Sequence, residues 1–292
     1  MVTMMKITRF IPPPKSWIAI AGFLILSTSA GLACVPEATP DQPPTTPSPG
    51  PAAPDPASGD DWGSLTVDEV LTPVVRDRIL QTVAQDVNRP AADLRITAAE
   101  TATWDGCMGI YVPDLACTAI ALFGLRIVVT DGDQSWVYHT HAEAADLHSI
   151  VQNATASGSR NGLIVDFIPS PDPAPTAEDV VFRSVESGSL AGWQREIVLF
   201  ADGRLQHREG DTLISEKRLS VAQVTAFQQV LEDQRFPNLH RMRYITDAAF
   251  ADYPTVRLSA GWLQTEYIDL AIADAPPALQ AVVEAWDALT QD

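Results

Sequence analysis

The hydrophobic pattern changes period several times along the chain, and each change marks an element. After Thr72-Pro73, the residues Val75, Ile79, Val83 and Val87 recur every four positions, with Leu80 and Ala84 beside them. A Thr before Pro starts a helix well, because the hydroxyl can cap the first turn and Pro lacks only an N–H that would be unpaired there. The spacing predicts an amphipathic helix ending near Asn88-Arg89-Pro90. Leu94, Ile96 and Ala98 then alternate with polar neighbours, which predicts a strand. Residues 118–123 and 125–130 are both rich in strand formers. Asp131-Gly132-Asp133 predicts a hairpin turn, and residues 134–141 return as a strand through Trp136 and Tyr138. Residues 153–159 read as a loop, and 163–168 as one more strand completing this first sheet.

A Pro-rich linker at 169–177 precedes a second set of elements. Residues 180–185, 196–201 and 204–208 predict strands, the last two joined by Asp202-Gly203. Ser220-Val-Ala-Gln223 has the form of a capping box, followed by Val224, Phe227, Val230 and Leu231 at helical spacing. Residues 255–260 and 263–272 predict a hairpin. Pro276-Pro277 opens a last helix with Leu279, Val282, Val283, Trp286 and Leu289 facing inward. The expected fold class is α+β: two small domains, 64–168 and 178–292, each an antiparallel sheet packed with one or two helices. Trp104, Trp136, Trp193, Trp262 and Trp286 are expected in cores rather than on a ligand platform. Trp193, beside a glycine-rich loop, is the one marked for test as an exposed contact.

The N-terminal pattern is of another kind. Lys6, Arg9 and Lys15 precede an unbroken apolar run, residues 17–26, and then small residues up to Cys34. Basic, apolar and small-residue regions in that order predict a secretory signal over residues 1–33. Residues 34–63 form a linker in which nine prolines fall between positions 35 and 60 among Thr, Ser, Asp and Ala. Such a segment cannot bury a core and is expected to act as a semi-stiff spacer.

Charge narrows the partners. The chain carries a formal −18, and residues 1–33 hold three bases and no acid, so a chain starting at Cys34 is more acidic still. A surface of that sign repels phosphate backbones, so nucleic acid is excluded as a partner. Three cysteines are an odd number for an exported protein. If Cys34 is used otherwise, Cys107 and Cys117 remain as a pair bracketing a loop with Gly109 and Pro113, and an oxidising compartment would close the disulfide.

Three resemblances follow from particular residues. Gly31-Leu32-Ala33-Cys34 resembles a bacterial lipoprotein box, which implies a lipidated Cys34; ordinary cleavage after Ala33 or Ala30 is the alternative. The residues Trp104-Asp-Gly-Cys-Met-Gly109, Cys117-Thr118, 124–129 and 136–140 together resemble a recurrent bacterial exported domain of unknown function, which implies no chemistry. Phe182, Ser187–Gly192, Leu219-Ser220, Phe236-Pro-Asn-Leu239, Asp252-Tyr253 and the Pro-Pro-initiated final helix resemble the emfourin group, whose namesake inhibits a thermolysin-like metalloprotease. No inhibitory residue of that group can be placed on a position of this chain.

Two clusters are candidate sites. His139, His141 and His148 fall within ten residues, beside Glu143 and Asp146, and residues 139 and 141 share a strand face as a metal pair would. Ser187, Gly188, Ser189, Leu190, Gly192 and Trp193 offer a partner-binding loop; the spacing fits neither a phosphate loop nor a nucleophile elbow. The function expected is a membrane-tethered extracytoplasmic binding protein, not an enzyme and without a cofactor, with an extracytoplasmic protease as the partner the emfourin resemblance implies. The alternatives are a metal-dependent enzyme or metal-binding protein using the three histidines, and a structural envelope lipoprotein.

Overall fold

In the computed structural model the described residues are 67–143, 146–169, 176–188, 192–246 and 253–291, with the side chains of 142, 143 and 146 also excluded. The expected signal, spacer and Cys34 lie outside them, as do residues 170–175 of the expected linker. The described residues form one α+β unit with two sheets.

A short turn of helix, α1 (Val67–Val70), leads into α2 (Pro73–Asp86), capped by Thr72 Oγ1 accepting from the Val75 amide at 3.4 Å. Four antiparallel strands follow as a meander: β1 (Arg95–Trp104), β2 (Leu122–Thr130), β3 (Ser135–Glu143) and β4 (Asp146–Gln152). Val75, Ile79 and Val83 of α2 bury one face of this sheet against Ile127, Val129, Trp136 and Tyr138. A bulge between Ile96 and Ala98 shifts the alternation by one residue, so Ile96 and Ala99 share the α2 side, while Ala98 joins Val128 and Val137 on the other. That second face is covered as well, so β2 is buried without a break from Gly124 to Thr130. Its continuous apolar run is the mark of a strand with no solvent face. Of the strand expected at 118–123, residues 118–121 carry no regular structure, and β2 begins at Leu122. β4 lacked the alternating pattern of a half-buried strand and was not expected.

The second sheet has eight strands in the order β5-β10-β12-β11-β6-β7-β8-β9. These are β5 (Ile164–Phe167), β6 (Val180–Ser187), β7 (Gln194–Phe200), β8 (Arg204–Glu209), β9 (Thr212–Arg218), β10 (Met242–Ile245), β11 (Thr255–Ala260) and β12 (Leu263–Ile268). Only the β10–β12 pair is parallel. β5 corrects the expectation that residues 163–168 complete the first sheet: it pairs with β10, Val165 opposite Tyr244, because Val165, Phe167 and Ile168 belong to the larger core. The chain beyond Ile268 also departs from the expected long strand and turns into a 3-10 segment, Asp269–Asp274.

Two helices cover this sheet. α3 (Val221–Asp233) starts at Ser220 with both bonds of a capping box, and α4 (Pro277–Thr290) buries Leu279, Val282, Val283 and Trp286. Phe182 is the hub, with ring centroids 5.0 Å from Phe227, 5.5 Å from Phe236 and 4.9 Å from Trp286. One continuous apolar cluster joins these rings to Ala98, Val128 and Val137 of the first sheet.

Candidate functional site

A cleft lies where the first sheet meets the second. β1 contributes Glu100 to Trp104, the disulfide loop contributes Asp105, Gly109 and Tyr111, and β2 contributes Arg126. A 3-10 segment (Phe236–Leu239) and its continuation bring Asn238, His240 and Arg241, and the β11–β12 turn brings Trp262. The cleft holds about 1010 Å³, ample for a small ligand or a short peptide segment.

One wall is the disulfide loop. Cys107 and Cys117 are joined, with Cα atoms 5.4 Å apart. Asp105 Oδ1 accepts from the Cys107 and Gly109 amides, each at 3.0 Å, which turns the chain inside the ring. Met108 then adopts a left-handed backbone, φ 59°, and its carbonyl lies 2.7 Å from His139 Nδ1. The loop is clamped across the cleft by a single side chain. Asn238 Oδ1 accepts from the Tyr111 amide at 2.6 Å, and Asn238 Nδ2 donates to the Tyr111 carbonyl at 2.9 Å.

The floor is charged. Glu100 takes Arg126 on one oxygen at 2.7 Å and Arg241 on the other at 3.1 Å. Arg126 is buried between two aromatic rings, its guanidinium carbon 5.4 Å from the Trp104 centroid and 5.8 Å from that of Phe167. Arg241 is held with φ 66° and also donates to the Ile168 carbonyl at 3.2 Å. Left-handed non-glycine residues therefore stand in the disulfide loop, at Met108, and on the floor, at Arg241. Such conformations cost energy and persist where the surroundings dictate them, which is common in binding sites.

At the mouth, Trp262 is 59% exposed and His240 meets its ring edge-on with centroids 4.7 Å apart. This corrects the expectation that Trp262 belongs to a core. Gly261, at φ 60°, turns the hairpin there and swings the indole outward. Trp104, Trp136 and Trp286 are buried, and Trp193 is half-buried with the Arg195 guanidinium 5.1 Å from its centroid.

The three candidate histidines separate into one and two. His139 is 1% exposed. Both its nitrogens are engaged, Nδ1 with the Met108 carbonyl and Nε2 with the Asn153 amide at 3.5 Å. Burial, together with the Arg126 charge, drives its pKa down to about 3, so the ring stays neutral. His141 and His148 pair with centroids 4.9 Å apart. The three do not gather their nitrogens at one point: among the described residues the only trio of metal-type ligands within 4.8 Å is Asp105, Cys107 and Cys117, whose sulfurs are spent in the disulfide. In the candidate loop, Ser187 ends β6, and Gly188 (φ 108°) and Gly192 (φ 63°) take left-handed turns. Ser189 and Leu190 lie outside the described residues. Asn153 is buried and donates to the Asn238 carbonyl at 2.8 Å.

Sequence patterning did not single out Glu100, Tyr111, Arg126, Asn238, His240 or Arg241. One signal was present: Arg126 is a lone charge inside the apolar run 124–129, and a strand buried on both faces keeps such a charge only with a partner. Its partner Glu100 lies on a different strand, opposite it in register.

Residues 76–148 match the domain of unknown function DUF8738. No curated protein and no solved structure matches the chain. No helix among the described residues is long and apolar enough to cross a membrane.

Proposed function

We propose that this chain is an exported binding protein, tethered to a membrane surface through a lipid on Cys34 and a proline-rich spacer, and that it engages a partner at the cleft whose mouth is Trp262. The observation that carries the reading is the exposed indole. A large aromatic side chain 59% open to water, braced by His240 and set over an ordered charged floor, is the kind of anchor that dominates protein interfaces. The walls are already held by Asn238, the disulfide and the Glu100 ion pairs, so little ordering entropy is left to lose on binding. The side chains here are paired to one another in a way that suits recognition rather than proton transfer. An extracytoplasmic protease is the partner class to try first, on the emfourin resemblance of the second half.

The test uses the chain from Cys34 onward against a panel of thermolysin-class metalloproteases, followed by biolayer interferometry, with Trp262→Ala alongside. Inhibition or binding in the wild type that falls about tenfold or more in Trp262→Ala supports the reading. Binding untouched by the substitution sinks the cleft, and no effect on any protease removes inhibition. The tether is tested separately by labelling cells with a radioactive fatty acid: label in the wild type and none in Cys34→Ala is expected, whereas an unlabelled wild type leaves a secreted protein.

A further inference from the structure

A second cleft of about 500 Å³ opens on the face of the large sheet beneath α4, and it shares no lining residue with the first. Its floor is set by register. Tyr267 stands opposite Val256, Val256 opposite Glu186, and Glu186 opposite Arg195. Directly paired residues share a face, so these four form one row across β12, β11, β6 and β7. Trp286 of α4 donates to Ser184 Oγ at 3.0 Å, which fixes the helix over the same face, since Ser184 lies two residues from Glu186. The last turn of α4 carries Asp287, and the 3-10 segment after β12 begins with Asp269; both line the cleft.

Three features of this cleft are unusual. Glu186, Asp269 and Asp287 make no ion pair among the described residues, while the other acids of the cleft do: Glu209 pairs with Arg195 at 3.3 Å, and Glu196 with Arg183 and, at 4.0 Å, with Arg208. Tyr267 is only 4% exposed, yet its hydroxyl has no hydrogen-bond partner among the described residues. The hydroxyl is not fully buried, so it reaches the water of the cleft, which Tyr267 lines. Asp287 also sits at the negative end of the α4 dipole with no basic residue in that turn, the wrong sign for helix stability. Each of these is relieved by the same thing, a positive charge with N–H groups to donate.

The three carboxylates do not converge within 4.8 Å as metal ligands would. They rim an opening walled by Ile197 and Val256. We propose that this cleft binds an alkylammonium or guanidinium group, with the cation among Asp269, Asp287 and Glu186, the Tyr267 hydroxyl accepting one of its hydrogens, and the aliphatic stem along Ile197 and Val256. Free amines and the Lys or Arg side chains of a protein partner present this chemistry alike. Burial and the neighbouring Asp269 hold the Asp287 carboxyl above the usual carboxylate range, as expected of a site that lacks its counter-charge.

The experiment is calorimetry on the chain from Cys34 onward at low ionic strength, with cadaverine, Ac-Ala-Lys-Ala-amide, its neutral norleucine analogue and calcium chloride as probes. Cadaverine or the lysine peptide should bind at least about tenfold tighter than the norleucine peptide, the scale of a charge-assisted bond. Asp269→Asn with Asp287→Asn should weaken that binding about tenfold, Tyr267→Phe severalfold, and Asp114→Asn on the disulfide loop less than twofold. Cadaverine as the tighter probe assigns the site to free amines, and the lysine peptide to a partner's side chain. Equal binding of the norleucine peptide, no binding at millimolar probe, indifference to the double substitution, or tighter calcium binding lost in the same variants would each overturn the proposal. Since Trp262 plays no part here, the outcome is independent of the first cleft.

Discussion

The indole of Trp104 lies flat on the imidazole of His139, with ring centroids 4.1 Å apart and planes 4° from parallel. Trp104 also donates from Nε1 to the Thr140 carbonyl at 2.9 Å, so β1 is pinned to β3 across the intervening β2. The stack sits under Arg126 and against the disulfide loop. It carries the floor of the first cleft, and several measurable consequences depend on it.

His139 should make the fold acid-sensitive. Its folded pKa of about 3 lies well below the ordinary 6.5, first because it is buried and then because Arg126 is near. The unfolded chain therefore binds a proton that the folded chain refuses between those values. Stability is whole above about pH 6.5 and is lost as pH falls toward 3, with a slope approaching about 1.4 kcal/mol per pH unit. Urea midpoints from pH 8 to 4 should show this, and His139→Gln, though less stable at pH 8, should show a shallower decline. Parallel slopes would exclude His139 as the source.

Gly124 should tolerate no side chain. A Cβ there would run into the Thr140 carbonyl and crowd Trp104 Nε1, and neither can retreat because Gly124 is paired with His141 in the sheet. Gly124→Ala is expected to cost about 3 kcal/mol, at the upper end for overpacking. A shift in melting temperature under 2 °C would show that β2 and β3 can part locally.

Asn238 should matter more to stability than a loop residue ordinarily does. Truncation to Ala leaves the Tyr111 amide and carbonyl without partners and opens a buried gap. A loss of about 2–3 kcal/mol follows, read as a drop in urea midpoint at unchanged slope. Hydrogen exchange should localise the added opening to the disulfide loop.

Asp287 gives the opposite sign from His139. Its carboxyl is raised in the fold, so ionising it costs more there than in the unfolded chain, where it titrates near 3.9. Asp287→Asn should stabilise the protein slightly at pH 7, and the gain should vanish as pH falls below that value. The effect is small because water reaches the side chain. A variant less stable than wild type at pH 7 would mean that Asp287 already has a compensating cation.

Periodicity by itself determined the α+β class, the Thr72-capped helix, the Ser220 capping box, the final helix and most of the long strands, because each rests on local sterics and on which face of one element is apolar. Cysteine counting found the Cys107–Cys117 pair, which now closes one wall of the first cleft. Strand partnership was out of its reach. Residues 163–168 read as a strand but joined the other sheet, since both sheets offered an edge and only the fit of Val165 and Phe167 into the larger core decided between them. The clefts were hidden for the same reason. Glu100, Arg126 and Arg241 are spread over 141 positions, and Glu186, Val256 and Tyr267 meet only through strand register. Trp262 read as core because an aromatic residue beside a strand usually is; the left-handed turn at Gly261 put it in water instead. Local pattern says which face of an element is buried, whereas a site depends on which faces are brought together, and that is decided by packing.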